Sequence, residues 1–159
     1  MLIKGITDEI FSDYSKTSML IAVPVCTTRC WEKLNLSPTI CQNHLLRREP
    51  NLSVSNKDII DRYLENPLTS AIVFGGLDSW DSLDEIIEFI REFRLVSEDD
   101  CVLYTGRDLD IIENDFGKLR EFKNIYVKYG GYNPFLESVV DELTSVVLAS
   151  SNQKFVKIS

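Results

Sequence analysis

The stretch "MLIAVPVCTTRC", Met19 to Cys30, decides the fold. Its first seven residues, Met19–Val25, form an unbroken apolar run with no polar face, the pattern of a strand covered on both sides. A cysteine pair follows at once, so Cys26 and Cys30 ride on the loop at that strand's carboxyl end. "SAIVF" (Ser70–Phe74), "CVLYT" (Cys101–Thr105) and "NIYVKY" (Asn124–Tyr129) read as further strands, and "SVVLAS" and "KFVKI" as two short ones around "SNQ". Amphipathic segments lie between them. In "SNKDIIDRYLEN", Ser55 and Asp58 form a capping box, Ile59, Ile60, Tyr63 and Leu64 share one helical face, and Pro67 closes the helix. Ser82 and Glu85 form a second box, ahead of the stripe Leu83, Ile86, Ile87, Ile90 and Phe93, which predicts a helix from Ser82 to about Arg94. "DLDIIENDFGKLREF" is a weaker helical stretch. Strands alternating with helices predict one α/β domain over residues 1–159 with a mainly parallel sheet. Ligands of such sheets gather at the carboxyl ends of the strands. Both the cysteine segment and the Gly75–Gly76 turn fall there.

The chain has 159 residues, 44% of them apolar and 26% charged, an ordinary globular composition. Met19–Val25 is far too short to cross a bilayer, and it lies behind a charged segment, unlike a signal peptide. The expectation is a soluble, cytoplasmic protein without a membrane partner. A net charge of −8 argues against nucleic acid as the main partner, because phosphate neutralisation needs clustered Lys and Arg. The single basic pair, Arg47 and Arg48, reads as a solvated face. Four cysteines without an export signal point to metal or catalysis rather than to disulfides.

Cys41 follows Cys30 by eleven residues, and His44, the only histidine, lies three further on. Three nearby thiolates suit zinc or an iron–sulfur cluster. Adding His44 gives Cys-x3-Cys-x10-Cys-x2-His, a closed structural zinc site. Leaving His44 out gives a four-iron cluster with one iron open to a ligand. Spacing alone does not separate the two. Trp31 reads as packing for the segment, and Cys101 as an inert thiol buried in its strand.

In order along the chain, "CTTRC", "CQN", "FGG", "YTG" and "SSNQ" resemble the motifs of the radical S-adenosylmethionine (radical SAM) enzymes. The closest likeness is to the activating proteins of anaerobic ribonucleotide reductase, and it spans nearly the whole chain. The resemblance implies a partial (β/α) barrel in a small radical SAM-like domain. It implies that Cys26, Cys30 and Cys41 bind three irons of a [4Fe–4S] cluster, with S-adenosylmethionine on the fourth. Gly75, Gly76 and Asp78 would lie at its amino group, Ile40 near its adenine, and Asn43 beside the last cysteine. The activity implied is cleavage of S-adenosylmethionine to methionine and a 5′-deoxyadenosyl radical, which makes a glycyl radical on the large anaerobic ribonucleotide reductase subunit. An electron donor such as flavodoxin is implied as a further partner, and no catalytic side chain beyond the cluster ligands. Three departures stand out. "WEKLNLSPTI" (Trp31–Ile40) occupies ten positions where the family has two, Leu77 stands where an acid is expected with Asp78 one later, and Lys128 stands where an acid is more usual. The alternatives are a radical SAM enzyme acting on a small molecule and a non-enzymatic Cys₃His zinc module for protein interaction.

Overall fold

A computed structural model describes residues 1–159. Its main sheet has six strands: β1 (Gly5–Ile10), β2 (Ser18–Ala22), β3 (Ala71–Gly75), β4 (Asp100–Tyr104), β5 (Ile125–Tyr129) and β6 (Lys154–Lys157). They lie side by side in chain order. Strands β2 to β5 are parallel, and β1 and β6 run antiparallel at the two edges. Helix α1 (Asn56–Glu65) lies between β2 and β3 in the chain, and α2 (Leu83–Phe93) between β3 and β4. The one-turn helices α3 (Leu109–Ile112) and α4 (Phe116–Leu119) lie between β4 and β5. The protein is therefore α/β with a mixed, mainly parallel sheet. No helix is long and apolar enough to cross a membrane.

Register explains the apolar runs. Ile21, Phe74, Leu103 and Val127 stand opposite one another across the four parallel strands. All four are fully buried in the main core with Ile59 and Tyr63 of α1, and with Ile86, Phe89, Ile90 and Phe93 of α2. Phe74 meets Phe89 edge-on at 5.4 Å, and Tyr63 meets Phe93 at 5.1 Å, both in the favoured T-shaped arrangement. One residue along, the row Leu20, Val73, Val102 and Tyr126 faces the other way. There it packs with Tyr14, Val146, Leu148 and Phe155 in a smaller cluster. Both faces are covered, which is why these strands carry no alternation.

Several local expectations change. Strand β2 ends at Ala22; the Val23 N–H still donates to Gly75 O at 3.0 Å, and Pro24, lacking an N–H, follows as the chain leaves the sheet. Ser55 caps α1 as expected, its hydroxyl accepting from the Asp58 N–H at 3.1 Å, but Leu64 is 51% exposed rather than on the buried face. Ser82 does not cap α2. A 3₁₀ turn, Ser79–Ser82, leads into that helix, and its cap is Asp78, which accepts from the Trp80 N–H at 3.0 Å. Glu85 instead accepts from the Leu2 N–H at 3.1 Å. The stretch "DLDIIENDFGKLREF" splits into α3, a 3₁₀ turn and α4. Strand β1 was not expected at all. Its pairing is irregular between Thr7 and Ile10, and it carries Asp8, ion-paired to Arg62 at 2.6 Å; charge and irregularity are usual protections for a sheet edge. Of "SVVLAS" only Val147–Leu148 is extended, paired with an unexpected partner at Val139–Val140.

Candidate metal centre

Parallel strands end at one edge of the sheet, so the loops after β2, β3, β4 and β5 are neighbours. Those loops supply Cys26, Cys30, Cys41 and Asn43, Gly76 to Asp78, Thr105 with Gly106, and Gly130 with Tyr132 to one cavity of about 130 Å³. Tyr104, Lys128 and Gln153 complete its wall. Cys26, Cys30 and Cys41 all line it, although ten residues separate the last two. An adjoining chamber of about 120 Å³ shares Cys30, Cys41, Asn43, Lys128, Tyr132 and Gln153, and adds Trp31, Ile40 and Gln42. Among the residues singled out from sequence, Gly76, Asp78, Asn43 and the three cysteines meet in the first chamber, and Ile40 lies in the second. Gly75 lines neither; a Cβ there would make only ordinary contact, 3.5 Å from Leu20 Cδ1. Gly76 is the constrained one, with φ +74° and a notional Cβ 2.8 Å from Leu46 Cδ2.

Cys30 sits in a cradle made by two other glycines. A Cβ on Gly106 would fall 2.5 Å from the Cys30 sulfur, and one on Gly131 would fall 2.9 Å from it. The turn holding Gly131 is fastened from the far end of the chain. Asn152 Nδ2 donates to Gly131 O at 2.7 Å and Gln153 Nε2 to Gly130 O at 3.2 Å. The Asn133 N–H donates to Ser150 Oγ at 3.2 Å. "SSNQ" thus acts on the site by bracing the floor beneath Cys30. Burial pushes the Cys30 thiol above its ordinary range, and the nearby Cys26, Asp78 and Cys41 push it in the same direction. A bound cation would reverse that balance, because metal binding draws protons off thiols.

Asp78 takes a different role from the one its position suggests. It is 3% exposed, and its Oδ1 accepts from Thr105 Oγ1 at 2.8 Å and from the Trp80 N–H at 3.0 Å. Its Oδ2 accepts from Thr28 Oγ1 and from the Gly106 N–H at 3.3 Å, with Arg107 Nε at 3.8 Å. A carboxylate has about four acceptor sites, and all are engaged here. Asp78 therefore ties the Cys26–Cys30 loop to the end of β4, with no lone pair left for a ligand's ammonium. Leu77, in the position expected for an acid, is a core residue.

Asp81 stands beside it. Its carboxylate accepts from the Thr27 N–H at 2.6 Å, Thr27 Oγ1 at 2.7 Å and Arg107 Nη2 at 2.6 Å. The ligand atoms of Cys26, Asp78 and Asp81 all lie within 4.8 Å of one another. Any cation there would have to displace Arg107 and the threonines from both acids.

Cys26, Cys30 and Cys41 are the soft donors that could hold a metal in the cavity. His44 lines neither chamber; its Nδ1 lies 3.0 Å from Cys41 O. The cavity is thus lined by three thiols without an imidazole, and of the three only Cys26 belongs to a group of potential ligand atoms within 4.8 Å of one another, with Asp78 and Asp81. Lys128 points into both chambers, with its ammonium 4.9 Å from the centre of the Tyr104 ring. Burial lowers its pKa to about 8, against the opposing pull of Asp13 and Cys30. Cys101 is fully buried away from the site, its thiol pushed up to about 12 by burial.

Sequence reasoning missed Thr28, Gly106, Arg107 and Gly131. The "GG" of "YGGY" after β5 carried the same signal as Gly75–Gly76 and was readable; the hydroxyl and guanidinium contacts were not. Arg47, read as a solvated residue, is partly buried. Its guanidinium carbon lies 4.4 Å from the centre of the Trp31 ring, and its Nη2 donates to Cys26 O at 2.7 Å. No family model, curated protein or solved structure matches the chain.

Proposed function

We propose that this chain is a radical SAM activating protein acting on a glycyl-radical enzyme, most closely anaerobic ribonucleotide reductase. One observation carries the reading: three cysteines from separate parts of a loop line one cavity at the carboxyl edge of four parallel strands, with no imidazole among them. Two features support a partial barrel as the finer description of the fold. The strands follow chain order without reversal, and α1, α2 and α4 pack in the core on one face of the sheet. Tyr104 and Lys128 would then sit on the concave face.

In this reading Cys26, Cys30 and Cys41 hold a [4Fe–4S] cluster. When bound and reduced, that cluster supplies one electron to cleave S-adenosylmethionine to methionine and a 5′-deoxyadenosyl radical. The chain's own part is to place and shield. Gly106 and Gly131 leave room for the Cys30 thiolate, and Gly76 allows close approach of a ligand to backbone. Trp31, Ile40 and Tyr132 line the adjoining chamber and would shield it from water. Asn43 offers an amide, and Lys128 a cation suited to a carboxylate. The usual acid for the ligand's amino group is missing, so that group has no side-chain carboxylate to meet. The large reductase subunit, a flavodoxin-like electron donor and a cytoplasmic setting belong to the same proposal.

Strictly anaerobic reconstitution should give about four irons and four sulfides per chain. Dithionite with S-adenosylmethionine should then release 5′-deoxyadenosine. A colourless, zinc-loaded protein under those conditions overturns the reading, particularly if His44→Ala lowers its zinc content.

A further inference from the structure

The Trp31–Ile40 insert sets this chain apart, and the segment after it folds back over the cysteine loop. Leu46 presses on Gly76 so closely that no Cβ would fit there. Arg47, next in sequence, reaches two places at once. Its Nη2 donates to the carbonyl of Cys26 at 2.7 Å, and its guanidinium carbon lies over the Trp31 ring, 4.4 Å from the ring centre. Cys26 and Trp31 bracket the Cys-x3-Cys loop, so a single side chain joins that loop's two ends. Trp31 is 7% exposed and also lines the chamber containing Cys30 and Cys41. The Arg47 Nε is buried with no hydrogen-bond partner. Only a planar cation can stack and donate to a carbonyl together; a lysine ammonium is a point charge on a flexible stem.

We infer that Arg47 is a positioning residue of the thiol site: by fastening Cys26 and Trp31 together, it fixes the Cys26 and Cys30 thiols relative to Cys41. The inference rests on reading the three thiols as a metal-binding set. It gives the insert a purpose, since the longer connection returns Arg47 to the loop beside Trp31, which lines the adjoining chamber. Residues that orient metal ligands without touching the metal commonly change affinity about 10–100-fold when replaced.

Cobalt(II) alone is the probe, because its thiolate charge-transfer and ligand-field bands report the number and geometry of thiolate ligands without any iron chemistry. The reduced, metal-free protein is titrated as wild type, Arg47→Met and Arg47→Lys, with circular dichroism to show that each is folded. Wild type should give thiolate charge-transfer bands. Arg47→Met should bind at least about 10-fold more weakly with altered bands, and Arg47→Lys should fall between. Arg47→Met with wild-type affinity and bands overturns the inference while leaving the proposed function standing. Wild type without thiolate bands overturns the inference, while the proposed function is decided separately by the iron and sulfide content after anaerobic reconstitution. Should Arg47→Met fail to fold, Arg47→Lys decides alone, and a wild-type titration from it overturns the inference.

Discussion

Replacing Asp78 by Asn separates a buried tie from a ligand-binding acid. The substitution keeps the shape but exchanges one carboxylate oxygen for an NH₂ group. Whichever way the amide turns, that group faces a backbone N–H: Gly106 in one orientation, Trp80 in the other. A threonine hydroxyl can rotate to accept, but a backbone N–H cannot. At least one charge-assisted hydrogen bond is lost outright and the others weaken to neutral ones, at roughly 1.5–3 kcal/mol for each bond to a charged group. Arg107 keeps Asp81 at 2.6 Å, so its charge is not orphaned. The expected loss is about 3–5 kcal/mol, the range for breaking a buried charged contact. Against a total stability of about 5–15 kcal/mol this is large. It should lower the melting temperature by roughly 6–20 °C, at about 2–4 °C per kcal/mol for a chain of this size. The assay is urea unfolding of the metal-free, reduced protein, with an unchanged m-value as the condition for comparison. A variant within about 1 kcal/mol of wild type refutes the reasoning, because an acid held in reserve for a ligand would cost the empty protein nothing.

Gly106→Ala places a methyl 2.5 Å from the Cys30 sulfur and 3.3 Å from Thr28 Cγ2. It should weaken cobalt binding and cost roughly 1–3 kcal/mol as an overpacked site. The control is Gly117→Ala in α4, which meets nothing within 4 Å and should be neutral or stabilising by about 0.5–1 kcal/mol. Lys128 makes a prediction with a sign. Its folded pKa of about 8 lies below the ordinary lysine value of 10.5, so between those pH values the unfolded chain binds more protons and stability rises with pH. Below pH 8 the full penalty stands, roughly 3 kcal/mol at 1.36 kcal/mol per pH unit. Lys128→Met should therefore be the more stable near pH 7, and its advantage should vanish by about pH 10.5. Urea midpoints of the two metal-free proteins at pH 7, 8.5 and 10 check this, and a pH-independent difference refutes it. Cys30 and Cys101, with raised thiols, act oppositely as pH rises through the alkaline range, so only the difference between variant and wild type isolates the lysine.

The parts of the fold legible in sequence were those whose burial leaves no choice of residue. Met19–Val23 and Ile72–Phe74 lie in a sheet covered on both faces, so the strands announce themselves as unbroken apolar runs. Helix α2 was legible because its core face forms a full stripe. Strand β1 was not, because an edge strand in contact with water needs no apolar run, and "GITDEI" has no more pattern than a loop. The capping box of α2 was misread because the 3₁₀ turn ahead of the helix, capped by Asp78, leaves Ser82 at the cap position without a side-chain bond to the helix. At the site, convergence of the cysteines with Gly76 followed from where strands end. Alternation also placed Lys128 opposite Val127, away from the core. The work of Thr28, Arg107 and Arg47 lay outside reach, because each acts through a partner distant in sequence that no local pattern names.

The brace beneath Cys30 has a consequence in time. Asn152 and Gln153 hold the Gly130–Gly131 turn, yet they follow Cys41 in the chain by more than the whole of β3, β4 and β5. As the polypeptide is synthesised, all three thiols exist before the floor that seats one of them can form. Until Asn152 and Gln153 are made, Cys30 has no seat, and the three thiols lie open to oxygen and to stray metal ions.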